Sequence, residues 1–95
     1  MESTRRAVFT NIGDEPIGFF VELEGWDYWL WPGETVEFHA HVWSEDAEFE
    51  YHFSRDGAQC VQIYPANDMG DIKAIQNGVE LEGGHKRPPG WLPAE

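Results

Sequence analysis

Residues 35–43 alternate strictly between apolar and polar side chains. The apolar positions are Val36, Phe38, Ala40 and Val42. A period of two residues predicts a β-strand with one buried face, because successive side chains of a strand point to opposite sides. No segment of the chain shows a convincing 3.6-residue apolar period, so the sequence predicts an all-β protein.

The same alternation recurs over residues 17–24 and 48–53, and turn-forming pairs such as Pro32-Gly33 and Asn77-Gly78 separate the strand-like segments. The side chains expected to face inward in these two strands are Phe19, Val21, Leu23, Phe49, Tyr51 and Phe53. About seven short strands with frequent turns predict a compact antiparallel sandwich or small barrel.

A chain of 95 residues has room for one domain. We expect a flexible N-terminus over residues 1–6, a single β domain over 7–82 and a Gly/Pro-rich tail over 83–95, whose prolines favour an extended conformation. No apolar stretch reaches the roughly 20 residues that span a membrane. A single cysteine and the lack of an apolar leader indicate a cytoplasmic protein.

Charge is distributed unevenly along the chain. The net charge is −12, from 18 acids and 6 bases, and no Lys or Arg lies between Ala7 and Ser54. Such a surface should repel nucleic acid and membranes and attract a basic protein. The alternative is that the acids only keep a small, aromatic-rich protein soluble.

Tryptophan and carboxylate side chains together can hold Arg or Lys through cation–π contacts and ion pairs. The predicted acidic and aromatic binding face consists of Glu22, Glu24, Trp29, Trp31, Glu37, Trp43, Glu48 and Glu50. The alternative is that most of these rings belong to the core, with at least one tryptophan exposed. The sequence thus predicts a non-enzymatic binding domain, such as an inhibitor, an immunity-type partner or a nucleic-acid mimic.

A second hypothesis is a metal site built on His39 and His41, which share one face of the predicted strand. If this strand forms a hairpin with the strand at 48–53, His41 lies opposite Glu50. The same register places His39 opposite His52. These four side chains could then hold one divalent transition metal, although they could equally be ordinary surface residues.

This region resembles the first metal-binding motif of the cupins. Gly33, His39, His41 and Glu45 follow the motif's spacing, and the resemblance implies a metal-binding protein or enzyme. The pattern departs at His52, where the motif has glycine, and the second cupin motif is missing.

The layout of the chain is also similar to that of a group of short bacterial proteins. The matching segments are Asn11 to Pro16, Val21 to Trp26, Leu30 to Glu34, Asn77 to Leu81 and Gly84 to Pro88. The resemblance implies no activity, but it indicates that the Gly-His-Lys-Arg-Pro segment is an integral feature of the fold.

No catalytic constellation is apparent. The acidic surroundings of Cys60 should raise its thiol pKa, which opposes a nucleophilic role, and the glycines form no phosphate-binding loop. The sequence therefore favours a non-enzymatic protein that needs no cofactor. A structural component of a bacterial or phage assembly is a further alternative, and a tryptophan-rich edge strand could pair two copies.

Overall fold

The computed structural model describes residues 3–55 and 58–90, which contain eight strands and no helix that could cross a membrane. The strands are β1 (Ser3–Thr10), β2 (Ile17–Val21), β3 (Trp26–Leu30), β4 (Thr35–Val42), β5 (Glu50–Arg55), β6 (Gln59–Tyr64), β7 (Lys73–Gln76) and β8 (Val79–Glu80). Sheet A has the order β1-β4-β7-β8 and sheet B the order β3-β2-β6-β5. The predicted all-β sandwich is confirmed.

Aromatic rings fill the space between the sheets. The ring of Phe38, which is fully buried, lies 5.4 Å from the ring of Phe19 and 6.2 Å from that of Tyr28. Phe9 completes the cluster, with its ring centroid 5.0 Å from that of Phe19. Rings bury a large apolar area per residue, which lets a thin sandwich form a core.

The inward face of β4 is as predicted, since Val36, Phe38, Ala40 and Val42 are all buried. This strand lies between β1 and β7 in sheet A, so one face contacts the core and the other faces outward. The regular alternation of its sequence reflects that position.

Strand β1 begins at Ser3 rather than at Ala7. Residues 3–6, predicted to be flexible, pair with the second half of β4, with Ser3 opposite Val42 and Arg6 opposite His39. The polar residues of this segment did not reveal a strand, because backbone pairing with β4 requires no apolar side chain.

The predicted hairpin of β4 and β5 is wrong. Strand β4 belongs to sheet A, whereas β5 is an edge strand of sheet B that pairs with β6. Residues 43–49 connect the two sheets instead of forming a hairpin turn. Strands β2 and β6 are parallel, so sheet B is mixed rather than purely antiparallel.

Two side chains that were expected in the core are exposed. Leu23 is 80% exposed because β2 ends at Val21 and the chain then turns. Phe53, on the edge strand β5, is 75% exposed. The other inward positions of these strands, including Phe49, are buried or half-buried as predicted.

The segment Gly83 to Arg87, here called the C-terminal strap, runs along the edge strand β3. The Gly84 N–H donates to the Asp27 carbonyl at 2.6 Å, and the Trp29 N–H donates to the His85 carbonyl at 2.9 Å. This part of the predicted tail is therefore attached to the domain and covers the edge of sheet B. Trp91 and Leu92 lie outside the described residues.

Candidate functional site

The predicted acidic and aromatic face does not form one surface. Glu37 lies on the outer side of sheet A and Trp43 just beyond the end of β4, whereas Glu50 is in β5 of sheet B. Glu22 and Glu24 lie in the turn between β2 and β3. Alternation indicates which side chains share a face within one strand, but it does not indicate which sheet each strand joins.

Trp29 was predicted to bind a partner but is 1% exposed. It lies on the outer side of sheet B above Gly18, where an added Cβ would be 2.7 Å from the indole ring. Phe20 packs against the ring, with centroids 6.2 Å apart, and the indole N–H donates to the Asp27 carboxylate at 2.9 Å. Its role is to order this side of the sheet.

Trp31 is half-buried and holds the C-terminal strap. Its indole N–H donates to the Lys86 carbonyl at 2.8 Å. Its backbone N–H donates to the carboxylate of Glu34, and Glu34 also forms an ion pair with the Lys86 ammonium. Burial raises the pKa of Glu34, but these two partners outweigh that effect and leave the pKa below its ordinary value.

A bidentate ion pair joins Asp27 to Arg87. The guanidinium donates to both carboxylate oxygens, at 2.8 and 2.7 Å, and Asp27 is only 5% exposed. The hydrogen bonds from Arg87 hold the pKa of Asp27 below its ordinary value, against the opposing effect of burial. This pair fixes the strap to β3.

The remaining arginines are also paired within the chain. Arg5 donates to the Ala47 carbonyl at 2.9 Å and lies 3.6 Å from the Glu48 carboxylate. Arg6 lies 3.7 Å from Glu37. Arg55 lies 3.1 Å from Glu15, so every arginine has an acidic partner within its own chain.

Many acids have no such partner. Among residues 3–55 and 58–90, the acids with no Lys, Arg or His within ion-pair distance are Asp14, Glu22, Glu24, Glu45, Asp46, Asp68, Asp71, Glu80 and Glu82. All of them except the half-buried Glu22 are exposed. Within the described residues, most of the surplus negative charge therefore lies on the surface without an internal counter-ion.

The turn between β2 and β3 combines this charge with exposed apolar side chains. We define the turn surface as Glu22, Leu23, Glu24 and Trp26. Leu23 is 80% and Trp26 is 55% exposed. The Trp26 ring packs against Gly83 of the strap, where an added Cβ would lie 2.5 Å from the ring.

An open depression adjoins the turn surface. It has a volume of about 350 Å³ and is lined by residues 80–85, which include the exposed carboxylates of Glu80 and Glu82. The pKa of Tyr28 is raised by burial and by the charges of Glu80, Asp27 and Glu24. These three carboxylates therefore place negative charge around Tyr28.

Trp43 forms a second exposed aromatic position and is 51% exposed. Its backbone N–H donates to the Asp68 carbonyl at 3.0 Å, and its ring lies 5.6 Å from that of His41. The exposed acids Glu45 and Asp46 follow in the chain. The expectation of at least one exposed tryptophan is met by both Trp26 and Trp43.

The residues of the predicted metal site are not brought together. His39 and His41 lie on the outer side of sheet A, whereas Glu50 and His52 lie on the outer side of sheet B. His39 instead contacts the neighbouring Glu37 at 2.9 Å, and His52 contacts Glu50. In the part of the chain that the structure describes, no group of three or more His, Cys, Asp or Glu could hold one metal ion.

Sequence reasoning missed Leu23 and Trp26 as surface residues. Gly25, whose φ of 75° is in the left-handed region, closes the turn between them. The glycine and the flanking acids are the signal that could have placed both side chains on a turn rather than in a strand.

Comparisons of the chain with protein-family models, with curated proteins and with solved structures gave no match.

Proposed function

We propose that this protein is a non-enzymatic acidic binding domain whose turn surface docks onto a basic protein. The proposal rests on one observation: the positive charges of the arginines are paired within the chain, whereas, among the described residues, the negative charges of the turn surface are not. The arginines are all engaged with acids of the same chain. Glu22 and Glu24 have no cationic partner among the described residues, and they flank the exposed Leu23.

Exposed apolar side chains on a turn supply binding energy if a partner covers them. Burying a large side chain contributes about 1.5–3 kcal/mol, and tryptophan is among the residues that most often dominate an interface. Leu23 and Trp26 would enter an apolar depression of the partner. Glu22 and Glu24 would then meet Arg or Lys side chains at its rim, which favours fast and selective association.

The specific form of the proposal is an inhibitor or immunity-type partner. Proteins that act on nucleic acids present basic grooves, because they must neutralise phosphates. A surface of exposed carboxylates, such as Glu24, Glu80 and Glu82, offers negative charges that such a groove would accept. The protein would bind in the groove without being a substrate of the partner.

Site-specific crosslinking in the cell that makes this protein tests the proposal. A photoreactive amino acid replaces Leu23 in one variant and Phe53, an exposed apolar residue of β5 at the opposite edge of sheet B, in a matched control. We expect a basic protein to crosslink at position 23 and not at position 53. Equal crosslinking at both positions, or none at position 23, would contradict the proposal.

The captured protein is then purified and its affinity measured by calorimetry. Glu22→Gln with Glu24→Gln, and separately Trp26→Ser, should each weaken binding about tenfold or more. Raising NaCl from about 50 to about 300 mM should weaken it further, because exposed charges are screened. Trp43→Ser is the matched control and should have no effect; a loss confined to Trp43→Ser would move the interface away from the turn surface.

A further inference from the structure

Three basic residues lie side by side on the outer face of sheet A. Arg6 of β1 is opposite His39 of β4, and His39 is opposite Lys73 of β7. Directly opposed residues share a face, and the neighbours of His39, Phe38 and Ala40, point into the core. With strands about 4.8 Å apart, the three side chains start within about 10 Å of one another. We call this set the cation row.

The cation row already binds one carboxylate of its own chain. A single oxygen of Glu37 lies 2.9 Å from Nε2 of His39 and 3.7 Å from a guanidinium nitrogen of Arg6. Arg6 and His39 thus converge on one anionic oxygen. The guanidinium has five N–H donors and its side chain is largely exposed, so it can accept a second anion beside Glu37.

Lys73 is the residue of the row that has no acidic partner among the described residues. It is exposed, and no acidic side chain among the described residues lies within ion-pair distance of it. Glu37 supplies one negative charge against the two positive charges of Arg6 and Lys73. The row and Glu37 together therefore carry more positive than negative charge in a chain whose net charge is −12, and the nearest further acid in sequence is the exposed Asp71, two residues before Lys73.

We propose that the cation row is a binding site for an oxyanion, a phosphate or carboxylate group of a ligand, held between Arg6 and Lys73 above His39. The carboxylate of Glu37 contacts Arg6 and His39 but is not within ion-pair distance of Lys73, which leaves the Lys73 side of the row open. The next row of the sheet is Val8, Glu37 and Ile75, and its two outer members, the exposed Val8 and the half-buried Ile75, offer apolar contact to the rest of the ligand. This site goes beyond the proposed function, because it would bind an anion, whereas the turn surface would bind a basic protein.

The negative charge of the whole molecule does not exclude such a site. At physiological ionic strength, charges are screened beyond about 8 Å. An anion at the row is therefore governed by Arg6, Lys73 and Glu37 more than by the acids of the turn surface on sheet B. Hydrogen bonds from two cations to an anion are also stronger than hydrogen bonds between neutral groups.

Backbone amide chemical shifts, measured by NMR, test the site directly. The labelled protein is titrated with inorganic phosphate and, separately, with citrate, and sodium chloride at matched ionic strength is the control. We expect saturable shifts at Arg6, His39 and Lys73 with at least one of the two anions. Saturation by phosphate alone would identify a phosphate-bearing ligand, and saturation by citrate alone a carboxylate-bearing one.

Three variants separate a built site from general ion effects. Arg6→Gln with Lys73→Gln should weaken anion binding about tenfold, whereas Glu37→Gln should strengthen it about threefold by removing the internal competitor. Arg55→Gln, which removes an exposed arginine from sheet B, is the matched control and should leave binding unchanged. Shifts that stay linear, that sodium chloride reproduces, or that persist in the double variant would show an adventitious ion only and overturn the proposal.

Discussion

The C-terminal strap and the turn surface lie next to each other along β3, yet they use charge in opposite ways. In the strap, Arg87 and Lys86 are paired with the carboxylates of Asp27 and Glu34, whose pKa values are lowered. In the turn surface, Glu22 and Glu24 have no cationic partner among the described residues. The bases of the strap are therefore placed where they stabilise the fold, whereas the acids of the turn surface are left available to a partner.

The largest loss of stability is expected at Asp27. Asp27→Ala removes the acceptor for Arg87 and for the indole N–H of the buried Trp29, and we expect the free energy of unfolding to fall by about 3 kcal/mol. Glu24→Ala in the turn surface is the matched control and should change it by less than about 0.5 kcal/mol. Urea denaturation measures both variants. Equal losses would show that the strap pair is no more important than a surface charge.

Gly18 and Gly83 each lie next to a tryptophan, one of them buried and the other exposed. A Cβ at Gly18 would lie 2.7 Å from the ring of Trp29, and one at Gly83 would lie 2.5 Å from the ring of Trp26. Trp29 is buried and cannot move aside, so Gly18→Ala should cost about 1–3 kcal/mol. Trp26 is more than half exposed and its ring can rotate outward, so Gly83→Ala should cost less than about 1 kcal/mol.

Thermal and urea denaturation of both alanine variants checks this prediction, and crystal structures would show which ring moves. A larger cost at Gly83 than at Gly18 would mean that Trp26 is held rigidly by the strap. It would then be a poor candidate for adapting to a partner, and the turn surface would lose its central residue.

The sequence was sufficient to predict the fold class and the inward face of β4, because both depend on local alternation. It did not predict the burial of Trp29, which depends on Gly18 lying beside it on the neighbouring strand. The attachment of the strap likewise depends on Arg87 meeting Asp27, 60 residues earlier in the chain. Contacts across such separations leave no periodic signal.

The hairpin that was assumed for the metal site was wrong for a related reason. Adjacent strands in sequence often pair, and that tendency suggested a β4–β5 hairpin with His41 opposite Glu50. The chain instead crosses to sheet B after Trp43, so the two histidines of β4 face away from His52. Only the sheet order, which the alternation does not encode, separates these two outcomes.

Acidification should weaken the strap in two stages. Burial lowers the pKa of His85 below its ordinary 6.5, so the folded state loses stability as the pH falls from there through the lowered pKa. The pKa values of Asp27 and Glu34 are lowered from their ordinary 3.8 and 4.5, so their contribution is complete above those values and is lost at more acidic pH.

Unfolding free energies at about pH 7.5, 5.5 and 3 separate the two stages. His85→Gln should flatten the first stage and Asp27→Asn the second, each relative to the unaltered protein. Comparison between variants is essential, because protonating the unpaired acids also relieves their mutual repulsion and stabilises the fold. An Asp27→Asn variant with an unchanged acid profile would contradict the assignment of the second stage to the strap.

The smallest effect is expected at acids that have no cationic partner among the described residues. Replacing Glu45 and Asp46 with Gln and Asn should leave the free energy of unfolding within about 0.5 kcal/mol, or raise it slightly, because only like-charge repulsion is removed. Any gain should shrink as NaCl is added, since screening already weakens the repulsion. Urea denaturation at low and high salt measures this. A clear loss of stability would mean that these carboxylates have an internal role, and the division between charges that hold the fold and charges that face a partner would not extend to this end of the molecule.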